Sequence, residues 1–200
     1  MPPLTFGCVF DSVFISRTTG WERVPGHPGL AWWLAAPLIA ASLHVFEEFV
    51  FPGGFRIWYA RYRPEIGASL TVKFLVIVNA VMLSVCALVA LVGPSANGAA
   101  NWFVITTILF WNAIFHLRAA VRMRSYSPGM ITGAFLYIPM AVVGSVVVLR
   151  ARLVPWVLAV ACVGVGSLYQ VFSLRNHRRR AKAQAEQVAA RGSSSAGAGG

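Results

Sequence analysis

Only six residues of this chain are acidic, and two of them, Glu47 and Glu48, stand side by side inside an apolar run from Leu30 to Phe51. A carboxylate near the middle of a membrane helix costs about 2.5–3.5 kcal/mol on insertion scales. The pair therefore needs protonation, a cationic partner or a metal ion. His44 precedes the two glutamates by three and four positions. With about 3.6 residues per helical turn, positions i, i+3 and i+4 share one face. One imidazole and two carboxylates thus project from a single stripe, able to meet on one cation. A second histidine, His116, lies in another apolar run, one turn after Asn112 and just before Arg118 and Arg122.

His44 and Glu48, at i and i+4, together with His116 compose a His₂Glu ligand set that leaves a position open for water. Glu47 is then the candidate general base, as the middle glutamate is in H-E-x-x-H and H-x-x-E-H zinc hydrolases. The donor types suit zinc, iron or manganese, and a dinuclear site bridged by the carboxylates is a variant. This pattern points to a metal-dependent membrane enzyme of hydrolase type. Two other functions use the same residues. Intramembrane Glu and His serve as relays in proton- or ion-coupled transporters, although no inverted repeat is evident. Five helices are few for a monomeric carrier, so that reading brings a homo-oligomer with it. In a structural membrane subunit, the acidic pair would instead bind Lys73 or Arg118 inside the bundle, or dock a partner helix.

The elements that must position these residues follow from composition. Of 200 residues, 58% are hydrophobic and 12% charged, and the mean hydropathy is +0.68. Soluble domains carry roughly 25% charged residues, so a soluble fold is excluded and the lipid bilayer becomes the expected partner. About 20 apolar residues cross a membrane as a helix. Five runs qualify: Leu30–Phe51, Leu70–Val92, Ala99–Leu117, Met130–Leu149 and Leu153–Leu174. The expected fold is an all-α polytopic membrane helix bundle of about five transmembrane helices. Three segments organise it: an N-terminal extracytoplasmic segment (1–29), the transmembrane domain (30–174) and a basic cytoplasmic tail (175–200). The tail's Gly/Ser/Ala-rich ending predicts disorder.

Net charge is +11, but the cations cluster at the ends of apolar runs and in the tail. That is a topology signal rather than a phosphate groove, and nucleic acid is not an expected partner. A cytoplasmic C-terminus puts 13 lysines and arginines inside and four outside, counted from the ends of the spans. The N-terminus is therefore expected outside and the C-terminus in the cytoplasm of a cell-membrane protein. In this orientation spans one and three run in parallel, which brings His44 and His116 to one layer near the cytoplasmic side. The segment Phe55–Arg63 alternates aromatics with arginine and reads as interfacial, rings at headgroup level and arginines toward anionic lipid. Cys8, Cys86 and Cys162 are widely spaced and suggest neither a disulfide nor a zinc knuckle.

The ordered set His44-Val45-Phe46-Glu47-Glu48, His116 and Tyr126-Ser127-Pro128-Gly129 resembles the HXXEE domain family. That family is marked by an H-x-x-E-E motif, a further histidine and a Y-x-P-G motif, and the resemblance covers roughly residues 30–174. It implies no particular reaction. It does add the loop before span four to the candidate site. Pro128 disfavours helix at Ser127 and starts the next helix well, while Gly129 permits an unusual backbone angle. Tyr126, Pro128 and Gly129, with Asn112, are the expected supporting residues around His44, Glu47, Glu48 and His116.

Overall fold

A computed structural model describes residues 29–50, 54–67 and 70–196. All but the last residue of the expected N-terminal segment, and the final four residues of the tail, lie outside that range. Among the described residues there are helices and no strands. Seven helices follow one another: α1 (Leu30–Val50), α2 (Gly54–Tyr62), α3 (Pro64–Gly67), α4 (Val72–Val92), α5 (Ala96–Met123), α6 (Met130–Arg150) and α7 (Trp156–Ala196). Five of them, α1, α4, α5, α6 and α7, are long and apolar enough to cross a membrane.

The helix boundaries have local causes. Thr71 and Ser95 cap α4 and α5, their hydroxyls accepting hydrogen bonds from the backbone N–H groups of Phe74 and Gly98 at 3.1 and 3.0 Å. Gly93, at φ +65°, ends α4. Helix α6 differs, because its N-cap residue is Gly129 and has no side chain to satisfy the first-turn N–H groups. Within α6, Gly133–Tyr137 widens into a π-turn, closed by the Ile138 N–H donating to the Gly133 carbonyl. Pro139 supplies the reason. It cannot donate to Phe135, and its ring crowds that carbonyl, so the helix widens just before it.

Helix α5 is central, packing on α1, α4, α6 and α7, and it contributes Trp102, Phe103, Ile105, Leu109 and Ala113 to the core. Proline links it to α1. Pro37 lies inside α1 and has no N–H, so the Trp33 carbonyl one turn earlier lacks its intrahelical donor. The Trp102 indole fills that place, its Nε1–H donating to the Trp33 oxygen at 2.7 Å. On α6, a Cβ at Gly133 would stand 3.1 Å from Cα of Ala113, so glycine lets α5 and α6 approach closely.

The buried face of α1 runs Leu30, Leu34, Pro37, Ala41, His44 and Glu48 at steps of three and four, with Glu47 beside it. The acidic stripe therefore faces the bundle interior. Helix α7 continues into the tail as far as Ala196, extending a helix already nucleated upstream through a stretch rich in Ala, Gln, Lys and Arg. One other expectation changes. The aromatics of α2 turn inward instead of lying flat at an interface: Trp58 and Tyr59 are buried and pack with Ile66, Leu75 and Ala119.

Candidate metal centre

Helix α1 brings His44 and Glu48 onto one face, and α5 brings His116 against them. The three are 2%, 7% and 1% exposed. Glu48 Oε1 lies 3.4 Å from His44 Nε2 and 3.3 Å from His116 Nε2. One donor atom from each residue falls within 4.8 Å of the other two. The imidazoles meet edge to face with centroids 5.1 Å apart.

Glu47 turns another way. Its Oε1 accepts from the Tyr126 hydroxyl at 2.5 Å and from the Ile131 N–H at 3.0 Å. Its Oε2 accepts from the Thr132 N–H at 2.8 Å and from the Thr132 hydroxyl at 2.5 Å. Ile131 and Thr132 are the second and third residues of α6, so Glu47 caps from a distance the helix whose own N-cap is glycine. A carboxylate there also meets the positive end of the helix dipole. With two donors on each oxygen, its four acceptor sites are filled. Burial, then the hydrogen bond and charge of Glu47, push the Tyr126 hydroxyl well above its ordinary pKa and hold it as a donor.

Hydroxyls position both histidines through their other ring nitrogens. His44 Nδ1 lies 2.8 Å from Thr132 Oγ1, and His116 Nδ1 lies 3.0 Å from Ser127 Oγ. Thr132 has a single hydroxyl proton, and the short contact to Glu47 takes it. Its oxygen is then an acceptor, which places the proton of His44 on Nδ1. In a neutral ring His44 Nε2 then carries the lone pair, and that nitrogen is buried and has no hydrogen-bond partner. The remaining walls are aromatic. Tyr137, carried inward at the end of the π-turn, lies 4.6 Å from His44 between ring centroids, and Phe55 lies 5.6 Å from His116.

Tyr126-Ser127-Pro128-Gly129 thus serves both glutamate and histidine. Tyr126 binds Glu47 and Ser127 binds His116. Pro128 is fully buried, and Gly129 lies against both imidazoles. Asn112, one turn before His116, lines a cavity shared with His44 and Glu48. Thr132, Ser127 and Phe55 were not among the expected site residues, whereas Tyr137 was one of the polar span residues expected to reach this layer. The available signals were weak: Ser127 is the variable position of its motif, and Thr132 is one polar residue in the first turn of an apolar helix.

No lysine or arginine lies within ion-pair distance of Glu47 or Glu48 among the described residues. The two glutamates have diverged. One saturates a helix end, and the other faces two imidazole nitrogens.

Helices without strands among the described residues, five of them of membrane-crossing length, and a buried His/Glu cluster define the class. The chain belongs to the HXXEE family, described as "Protein of unknown function with HXXEE motif", whose model matches residues 33–144, more than half of its length. That stretch contains every residue of the cluster and of the Y-x-P-G loop. No curated protein and no solved structure matches the chain.

Proposed function

We propose that this chain is a multi-pass membrane enzyme of hydrolase type, dependent on one divalent metal ion held by His44, Glu48 and His116. The observation that carries this reading is the buried, unpartnered Nε2 of His44 facing a carboxylate oxygen. Two acceptors at 3.4 Å in an apolar surrounding repel each other unless a cation lies between them. A protonated imidazole would close to the roughly 2.7–2.9 Å of a charge-assisted hydrogen bond. Both separations are longer than that. They match the edge of a coordination tetrahedron with bonds of about 2.0–2.1 Å, which is about 3.3–3.4 Å.

Two imidazoles and one carboxylate suit zinc, iron or manganese. A bound ion of this kind supplies a water of lowered pKa and polarises the oxygen of an ester-type bond. The protein's own residues do the rest. Thr132 and Ser127 fix the ring orientations through Nδ1, the usual way a ligand histidine is held. Glu48 also lines the cavity and can accept a proton from a water there. Glu47, with both oxygens occupied, acts through Thr132 as a positioning residue, in place of the general-base role its spacing suggested. It is likewise not available to bridge a second ion.

In this reading the centre lies near the cytoplasmic side of the membrane, with the C-terminus inside, and the distribution of lysine and arginine supports that orientation. The deciding experiment is elemental analysis of protein purified in detergent without chelators. About one transition-metal ion per chain is expected in the parent, and far less in His44→Ala, His116→Ala and Glu48→Gln. A metal-free parent that also fails to take up added zinc, iron(II) or manganese(II) would remove this function.

A further inference from the structure

The centre opens onto a cavity of ≈ 390 Å³ enclosed mainly by α1, α4, α5 and α7, within the roughly 300–1,000 Å³ range of small-ligand sites. Its two ends differ in chemistry. The deep end is walled by Val78 and Met82 of α4 and by Ile108 and Leu109 of α5. The mouth carries Arg63, Arg118 and Arg122. Arg118 and Arg122 are one turn apart on α5 and share a face, and Arg63 joins them from the end of α2. No carboxylate pairs with any of the three among the described residues.

A second cavity of ≈ 660 Å³ shares Tyr62, Arg63 and Arg122 with this mouth, and adds Arg178 and Lys182 from α7 against one acid, Glu65. The way in is thus basic, and beyond the His/Glu centre the lining is mainly aliphatic, with Asn79 and Gln170 among it. The positive-inside tendency accounts for arginines on this side of a membrane. It does not account for their gathering at the mouth of a cavity that reaches His44 and Glu48.

We propose that the substrate is an amphiphile with an anionic, phosphate-like head and an aliphatic chain. The guanidiniums bind the head, and the chain lies between α4 and α5. This rests on the metal-enzyme reading for its chemistry, but not for its binding. Guanidinium forks match phosphate oxygens in pairs. The largely aliphatic end, where Asn79 and Gln170 are the polar residues and the Gln170 amide donates to the Ile108 carbonyl, offers a chain dispersion contacts and removal from water. From Arg122 to Ile108 is fourteen residues of α5, about 21 Å of helix, or some two-thirds of a hydrocarbon core about 30 Å thick. His116 lies six residues, about 9 Å, below Arg122. Arg118 lies only two residues, about 3 Å, from His116, so the bond offered to the centre is at or just below the head, near its junction with the chain.

The test is equilibrium binding of hexadecyl phosphate, hexadecanol and inorganic phosphate to the full chain in phosphatidylcholine nanodiscs, after chelator treatment. Because the metal is stripped beforehand, failure of the metal centre leaves this result intact. Hexadecyl phosphate is expected to bind at least about tenfold more tightly than hexadecanol, the value of one charged hydrogen bond. The double variant Arg118→Gln, Arg122→Gln is expected to abolish that advantage. Both residues are exposed, so the fold should survive, and a monodisperse elution profile checks it. Val78→Trp, which fills the deep end, is expected to weaken both alkyl probes by about tenfold. Equal binding of the two alkyl probes, or indifference to the arginine and Val78 variants, overturns the proposal. So does displacement of hexadecyl phosphate by micromolar inorganic phosphate, which would identify a free-phosphate site instead.

Discussion

A Cβ on Gly129 would stand 2.6 Å from Cε1 of His44 and 3.0 Å from Cε1 of His116. Gly129 also sits at φ +94°, in the region that side-chain-bearing residues avoid. The glycine of the Y-x-P-G loop is therefore the floor on which both imidazoles rest. Gly129→Ala is expected to lower stability by about 1–3 kcal/mol through backbone strain and to weaken zinc binding further by displacing the rings. Thermal unfolding in detergent, with and without zinc, measures both. Parent-like zinc affinity in the alanine variant would mean the rings do not need that contact.

Thr132 is the joint between the two glutamates' tasks. Thr132→Val keeps the shape and removes the hydroxyl, so the His44 tautomer is no longer dictated by Glu47. Loss of such a supporting hydrogen bond typically lowers metal affinity about 10–100-fold. Thr132→Ser, which restores the oxygen, is expected to bind close to the parent. A chelator-competition titration on the two variants distinguishes the hydroxyl from the volume. If the valine variant equals the parent, the relay from Glu47 to His44 has no role.

Adjacent glutamates are expected to fail in different ways. Glu48→Gln removes a ligand charge and should leave little bound metal. Glu47→Gln keeps the three ligands but turns an amide N–H₂ toward donors, so the start of α6 loses about 1–3 kcal/mol. Metal should persist there with reduced affinity. Elemental analysis and thermal unfolding on both variants form a crossed comparison. Stoichiometric metal in Glu48→Gln would contradict its assignment as a ligand.

Metal removal is expected to destabilise the parent, since the apo site leaves buried acceptors facing one another. A ligand present at about 100 times its dissociation constant adds about 2.7 kcal/mol to the folded state. Zinc added back to chelated protein should therefore raise the unfolding temperature measurably, and should do so far less in His116→Ala. An equal rise in both would locate the ion elsewhere.

Topology can be read separately. Reporter fusions after residue 180 are expected to report cytoplasm, and fusions near residue 96 the outside, in keeping with the lysine and arginine distribution. A cytoplasmic signal at residue 96 would place the centre and the arginine mouth on the opposite face of the membrane.

Helical content, the five long apolar helices and the face shared by His44, Glu47 and Glu48 were legible in the chain, because hydropathy and a period near 3.6 are local properties. So was the relevance of His116, a polar residue in an apolar run, while the Y-x-P-G loop stood out only through the resemblance to the family. The segment around Trp58 and Tyr59 was misleading. An aromatic–arginine pattern has the same composition whether its rings lie at an interface or roof a site, and only the packing against Leu75 and Ala119 decides between them.

The division of labour between Glu47 and Glu48 was not legible. Adjacent residues of one type on one helix are equivalent in sequence, differing by about 100° in direction. What separates them is the bare N-terminus of α6, which has glycine as its cap and so draws one carboxylate to its N–H groups. The other carboxylate is left to the histidines. That choice depends on where α6 begins relative to α1, more than eighty residues away along the chain, and such a relation exists only once the helices are packed.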